Sequence, residues 1–186
     1  MLYTLAFPTL READAAFVAR FRGLHDGLQA DRVAPHFTLV FASNGVSEDA
    51  YLAHVEAVAR RRAPVDFTCR HAMLGADGES ETGYVFLVPD EGYSGLSRLH
   101  DRLYSGPLAS RLRLDLPFVP HITVGRHARR EVAKELCDAL NDTGLCIPGR
   151  VETLAVSALE EGRVNTLATF ALDGRSAAGV ESGVKT

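Results

Sequence analysis

The chain has 186 residues, 46% of them hydrophobic and 24% charged, which suits one domain with a well-formed core or two small lobes packed together. Its formal net charge of −4 lacks the basic excess with which proteins grip long polynucleotides, so a small nucleotide or an RNA end fits better than a long duplex. Cys69, Cys137 and Cys146 are unclustered and lack CxxC spacing, which argues against a disulfide framework and a zinc site.

A short strand is expected at Leu2 to Phe7, stopped by Pro8. A helix follows from about Leu10 to Leu28, with Phe17, Phe21, Leu24 and Leu28 at a/d spacing as its buried side. A strand runs from His36 to Phe41. The next helix spans about Glu48 to Arg62, with Ser47 as N-cap and Glu48 and Asp49 at its positive end. Two strands follow, Val65 to Leu74 and Gly83 to Val88, joined by the polar loop 75–78. The second half repeats the order: a helix from about Ser94 to Tyr104, a strand from Pro120 to Arg126 and a helix from about Arg129 to Leu140, with Gly144 as its stop. A hairpin, Arg150 to Leu159 and Val164 to Leu172, turns at residues 160–163. Residues 1–173 read as a single domain of two pseudo-symmetric lobes, and 174–186 as a flexible polar tail. The N-terminus lacks the pattern of a signal peptide, and no stretch reaches the roughly 18 apolar residues of a membrane span. A soluble, cytoplasmic monomer is expected, with no membrane partner.

Inside this duplication a short motif occurs twice, Pro35-His36-Phe37-Thr38 and Pro120-His121-Ile122-Thr123. Chance would place roughly 0.02 copies of Pro-His-x-Thr in such a chain. The histidines stand 85 positions apart (121 − 36), and 29 positions separate each from the strand that follows the next helix (65 − 36 and 150 − 121). A tandem repeat at a fixed period is a structural signature. On a strand, side chains alternate, so each His shares a face with its Thr while the intervening apolar residues enter the core. Two such copies across a cleft would surround one anion with an acid, a base and two hydroxyl donors.

With these residues the chain resembles the 2H phosphoesterase superfamily, which contains 2′-5′ RNA ligase-like proteins and RNA 2′,3′-cyclic phosphodiesterases. The match lies in His36-Phe37-Thr38-Leu39 and His121-Ile122-Thr123-Val124, and extends through the element order of residues 1–173. The resemblance implies an α+β, bilobal duplicated unit with two antiparallel sheets flanked by helices around a central cleft. It implies hydrolysis of a 2′,3′-cyclic phosphate or similar phosphodiester on a nucleotide or RNA end, with no metal and no cofactor. Ligation at a 2′-5′ linkage is the same step in reverse. His36 is then the general acid and His121 the base, with Thr38 and Thr123 donating to the non-bridging oxygens. The rival reading keeps the fold and the phosphate site without turnover, as a non-catalytic nucleotide-binding or regulatory module. The chain begins Met1-Leu2-Tyr3-Thr4, where cyclic phosphodiesterases acting on RNA ends often carry an Arg and paired Phe.

Arg126 follows the second motif and resembles a phosphate-proximal basic residue of some relatives. Strict alternation gives it the parity of Ile122 and Val124, so it reaches the cleft only if Gly125 ends the strand or forms a bulge. Arg60-Arg61-Arg62 suits a helix C-terminus, and the cluster Arg126, His127, Arg129, Arg130 and Lys134 is the more suggestive basic group. His25, His54, His71, His100 and His127 lack metal-ligand spacing. Tyr3, Tyr84, Phe86 and Phe118 are expected to pack in the core rather than stack a base.

Overall fold

Apolar alternation along the strands and stripes of buried residues on the helices build the secondary structure. The computed structural model describes residues 1–76 and 80–174. Asp77 and Gly78 of the expected loop, and the expected tail beyond Gly174, lie outside the described residues. The first half contains β1 (Leu2–Ala6), β2 (Thr9–Leu10), α1 (Glu12–His25), the single turn α2 (Gly27–Ala30), β3 (Phe37–Ser43), α3 (Glu48–Ala59), β4 (Val65–Ala76) and β5 (Gly83–Glu91). The second contains α4 (Tyr93–Leu103), a 3-10 turn (Gly106–Arg111), β6 (Ile122–His127), α5 (Arg130–Asn141), β7 (Ile147–Val151), β8 (Thr153–Glu160) and β9 (Arg163–Ala171). Ser47 caps α3 as expected, its hydroxyl accepting from the Ala50 N–H at 3.4 Å.

Three expectations are corrected. The first helix does not run to Leu28: Asp26 leaves the helical region (φ −151°, ψ 40°) and Gly27 starts a separate turn. Its buried side is Val18 and Arg22, while Leu24 and Leu28 are 73% and 65% exposed, because the a/d frame centres the stripe on the wrong residues. The strand expected over Arg150 to Leu159 is two strands, broken at Glu152, and they join different partners: β7 pairs with β4, and β8 with β1.

Every pairing among the described residues is antiparallel, in the order β2-β7-β4-β5-β6-β3-β1-β8-β9. The two expected sheets are thus linked into one curled sheet. The link is a single ladder pair, Phe37 with Ile122, where β3 meets β6. The helices cross this junction. α1 packs on β6 and α4 on β3, so each helix that precedes a His strand covers the His strand of the other half. α3 packs on the β8–β9 hairpin, and α5 on β4 and β5. Among the described residues no helix is long and apolar enough to cross a membrane.

Phe37, Leu39, Val40, Ile122 and Val124 are buried on the helix-covered side. Phe37 meets Phe67 edge-on with ring centroids 5.0 Å apart, which ties the junction to β4. Thr4 and Tyr51, both fully buried, share a hydrogen bond of 2.9 Å that joins β1 to α3, and burial pushes the Tyr51 phenol up to about 12. Because Phe37 is fully buried at the pair linking β3 to β6, Phe37→Ala is expected to cost about 3–5 kcal/mol. Urea denaturation of the variant against the parent chain checks this, and a loss below about 1 kcal/mol would contradict it.

Candidate active site

The Phe37–Ile122 pair sets the face on which the polar residues stand. Continuing its antiparallel register places His36 against Thr123 and Thr38 against His121, so each imidazole faces the hydroxyl of the other motif. All four are half-buried, while Phe37 and Ile122 between them point into the core. The histidines stand just outside the strands that begin at Phe37 and Ile122.

Each imidazole is held in the same way. His36 Nδ1 lies 2.8 Å from the Ala34 carbonyl, and His121 Nδ1 lies 2.7 Å from the Val119 carbonyl. A carbonyl only accepts, so Nδ1 carries the proton on both rings and Nε2 is left for other chemistry. The proline between each pair brings no N–H of its own and fixes the turn of chain that carries the carbonyl back over the ring. Burial pushes both imidazoles below their ordinary value, against the raising effect of these backbone bonds. On His36 the positive charges of Arg22 and His121 act in the same downward direction. His121 is stacked on Phe86 with centroids 3.8 Å apart, whereas His36 meets Phe7 obliquely at 5.9 Å.

A cavity of about 390 Å³ opens on this face, and His36, Thr38, Thr123 and Arg126 line it. Arg126 arrives there through a bulge. Val85 pairs with Gly125 and Phe86 with Thr123, so Val124 is the extra residue of β6 and the alternation resets behind it. Val124 and Gly125 are consecutively buried, and Arg126 returns to the face of Thr123. Tyr3 and Tyr84, expected in the core, form part of the cavity wall. The other two aromatics stack on histidines: Phe86 on His121, and Phe118 on His100 at 3.7 Å. The β8–β9 turn closes another side through Leu159, Gly162 and Val164, and Val164 N–H donates to the Arg32 carbonyl.

The remaining wall comes from the end of α1 and from α2, and sequence reasoning missed it. Arg22 and Asp26 are 4% and 7% exposed and both line the cavity, with Gln29 and Arg32 beyond them. Burial lowers the Arg22 pKa and raises that of Asp26, and the guanidiniums of Arg22 and Arg126 oppose the latter shift. The available signal was their i, i+4 spacing, which places a cation and a carboxylate on one helix face.

The rest of the basic cluster stays away from the cavity lining. Arg130 donates to the Ser80 carbonyl, Lys134 pairs with Asp138 at 2.6 Å, and His127 Nδ1 accepts from the Arg129 N–H. Arg60 pairs with Glu56, and His71 is exposed on β4.

The family model of the 2′-5′ RNA ligase superfamily matches residues 10–163. The chain belongs to this superfamily. Its fold is also that of solved members of the same structural group. TT0787 of Thermus thermophilus superposes with a TM-score of 0.57 at 22% identity, over 94% of this chain and 99% of that one. E. coli LigT in apo form gives a TM-score of 0.54 at 26% identity, over 92% and 98%. LigT complexed with NADP+ gives 0.55 at 23% identity, over 92% and 97%. No curated protein matches the chain in sequence.

Both imidazoles bind a proton less readily in the folded than in the unfolded chain. Their contribution to stability is therefore complete above pH 6.5 and is lost as pH falls through the folded values. In ¹⁵N spectra of the free protein both rings are expected as Nδ1–H tautomers that titrate below 6.5. A titration at or above that value, or an Nε2–H tautomer, would contradict the geometry.

Proposed function

We propose that this protein is a metal-independent phosphoesterase that opens a 2′,3′-cyclic phosphate, or a similar phosphodiester, on a nucleotide or short RNA end. The observation that carries the reading is the pair of imidazoles on facing strands. Each is locked by Nδ1 onto a backbone carbonyl and leaves Nε2 for proton transfer. A neutral Nε2 accepts a proton, and a protonated one donates, so one ring of each kind supplies general base and general acid.

Neutral His121 takes a proton from water as the water oxygen bonds to phosphorus. The bond from phosphorus to one ribose oxygen breaks, and protonated His36 delivers its Nε2 proton to that oxygen. This assignment of acid and base rests on the resemblance to 2H phosphoesterases. Thr38 and Thr123 donate to the non-bridging oxygens, where charge builds as water adds. Arg126 supplies a cation on the same cavity wall. Reversal of the step at a 2′-5′ linkage is ligation, with hydrolysis favoured by bulk water.

The cavity volume, near 390 Å³, suits a ligand of nucleotide size. Tyr3 and Tyr84 on its wall offer ring surface to a base. E. coli LigT has been solved with 3′-AMP, with NADP+ and with ATP, which supports a nucleotide as ligand. The proposed setting is the cytoplasm, with the protein acting as a monomer on a small substrate rather than on a long duplex.

Incubation with nucleoside 2′,3′-cyclic monophosphates in EDTA, resolving the 2′- and 3′-monophosphate products, tests the reading. Turnover is expected to survive chelation and to fall by about 10²–10⁴-fold in His36→Ala and in His121→Ala. Unchanged turnover in either variant would sink the two-histidine mechanism, and nucleotide binding without turnover would favour the regulatory module.

The pH profile follows from the shifts. With both free-enzyme imidazoles below 6.5, kcat/KM is expected to be bell-shaped with its maximum on the acid side of that value. The bound phosphate favours an imidazolium, so the kcat profile lies at higher pH than that of kcat/KM. Coincident profiles centred above pH 7 would contradict this.

A further inference from the structure

We propose that Arg22 contacts the reacting phosphoryl group through its Nε–H and is a catalytic residue of this chain, an inference that rests on the phosphoesterase reading of the same cavity. Arg22 is the most deeply buried cation of the cavity wall, at 4% exposure. Its Nη2 donates to the Gln29 carbonyl at 3.3 Å, but its Nε has no hydrogen-bond partner among the described residues and is shielded from water. A buried donor left unpaired is costly, and a guanidinium that served only to hold α2 in place would use all its donors. Here one end of the guanidinium is anchored on α2, while Nε, buried on a side chain that lines the cavity, is left without a partner among the described residues.

The neighbouring charges say what this donor is for. Arg22 lies near enough to His36 to depress its protonation, and near enough to Asp26 to favour that carboxylate, which also feels Arg126. Three guanidiniums, those of Arg22, Arg32 and Arg126, and one carboxylate leave two net positive charges on the wall, and an imidazolium adds a third. A phosphodiester carries one negative charge and gains a second as water adds to phosphorus. The wall therefore matches the dianionic transition state better than the monoanionic ground state, and differential binding of that kind lowers the barrier. Asp26 is a positioning residue in this scheme: on the turn below Arg22, it holds the guanidinium by charge without occupying Nε.

The first test uses the unmodified protein and inorganic phosphate. In ¹H–¹⁵N spectra the Arg22 Nε–H resonance is expected to move downfield and become protected from exchange as phosphate saturates, together with the ring signals of His36 and His121. Ring signals that move while Arg22 stays fixed would overturn the assignment of Arg22 and leave the two-histidine reading standing. If none of the three responds, the cavity is not an anion site and both readings fall. The second test is Arg22→Met. Its kcat is expected to drop by about 10²–10³-fold, with a smaller change in KM, in a variant whose cooperative thermal transition shows that it folds. Arg22→Gln, which keeps a polar side chain without charge, is expected to lose activity equally. A kcat within threefold of the parent in either folded variant would refute the proposal.

Discussion

The architecture depends on one backbone pair. β3 and β6 are in ladder contact only at Phe37 and Ile122, and past that point the two strands diverge. Divergence would leave buried backbone groups of β3 without partners, which is costly away from water. α4 prevents this with side chains. His100 Nδ1 donates to the Leu39 carbonyl at 2.9 Å, and the Phe41 N–H donates to the Tyr104 hydroxyl at 3.0 Å. A helix from the second half thus satisfies the open edge of the first half's His strand. The cleft on the other face is the consequence: strands that meet at one residue and then part leave a wedge between them, and His36, Thr38 and Thr123 of the two motifs line the cavity there.

The resting electrostatics of the wedge are those of a site waiting for an anion. Burial disfavours protonation of both imidazoles and neighbouring cations add to this at His36, while the backbone carbonyls behind them partly compensate and fix the tautomer. A phosphate reverses the balance, because its negative charge favours an imidazolium where none was favoured before. In the proposed reaction, proton placement is therefore coupled to substrate arrival rather than set in advance by the solution. The Thr hydroxyls add hydrogen bonds without adding charge, which leaves the charge balance to the histidines and arginines.

How much of this was legible in the sequence follows from the range of each interaction. The two motifs and the helix–strand order around them are local features and appeared near where the pattern put them, whereas the end of the first helix and the last hairpin did not. Strand-to-helix partnership is not local: nothing in α1 states that it covers β6 rather than β3, and the exchange appears only once the chain is folded. Leu24 and Leu28 misled because leucines at a/d spacing outrank an arginine in any hydrophobic reading, although here Arg22 is the residue that faces inward. Glu152 breaks one run of β-forming residues into β7 and β8 because each piece has a different partner strand. Arg126 was ambiguous for a definable reason. A single extra residue reverses every later side chain, and Gly125 signalled a bulge without fixing its position.

Duplication explains the shared parts of the site, and the helix ends explain its asymmetry. The proposed hydrolysis, with one acid and one base, asks two equivalent histidines to differ. The strands do not provide the difference, since both rings are held by the same bond to the carbonyl two residues back. The two preceding helices do. α4 ends in His100, Leu103 and Tyr104, whose polar atoms are spent on the edge of β3 or whose side chain enters the core. α1 ends in Arg22 and Asp26, which place charge on the cavity wall beside His36. His121 meets the flat apolar face of Phe86 instead. Divergence at two helix termini is therefore enough to make the surroundings of the two imidazoles unequal, while the strands and motifs that hold them stay alike.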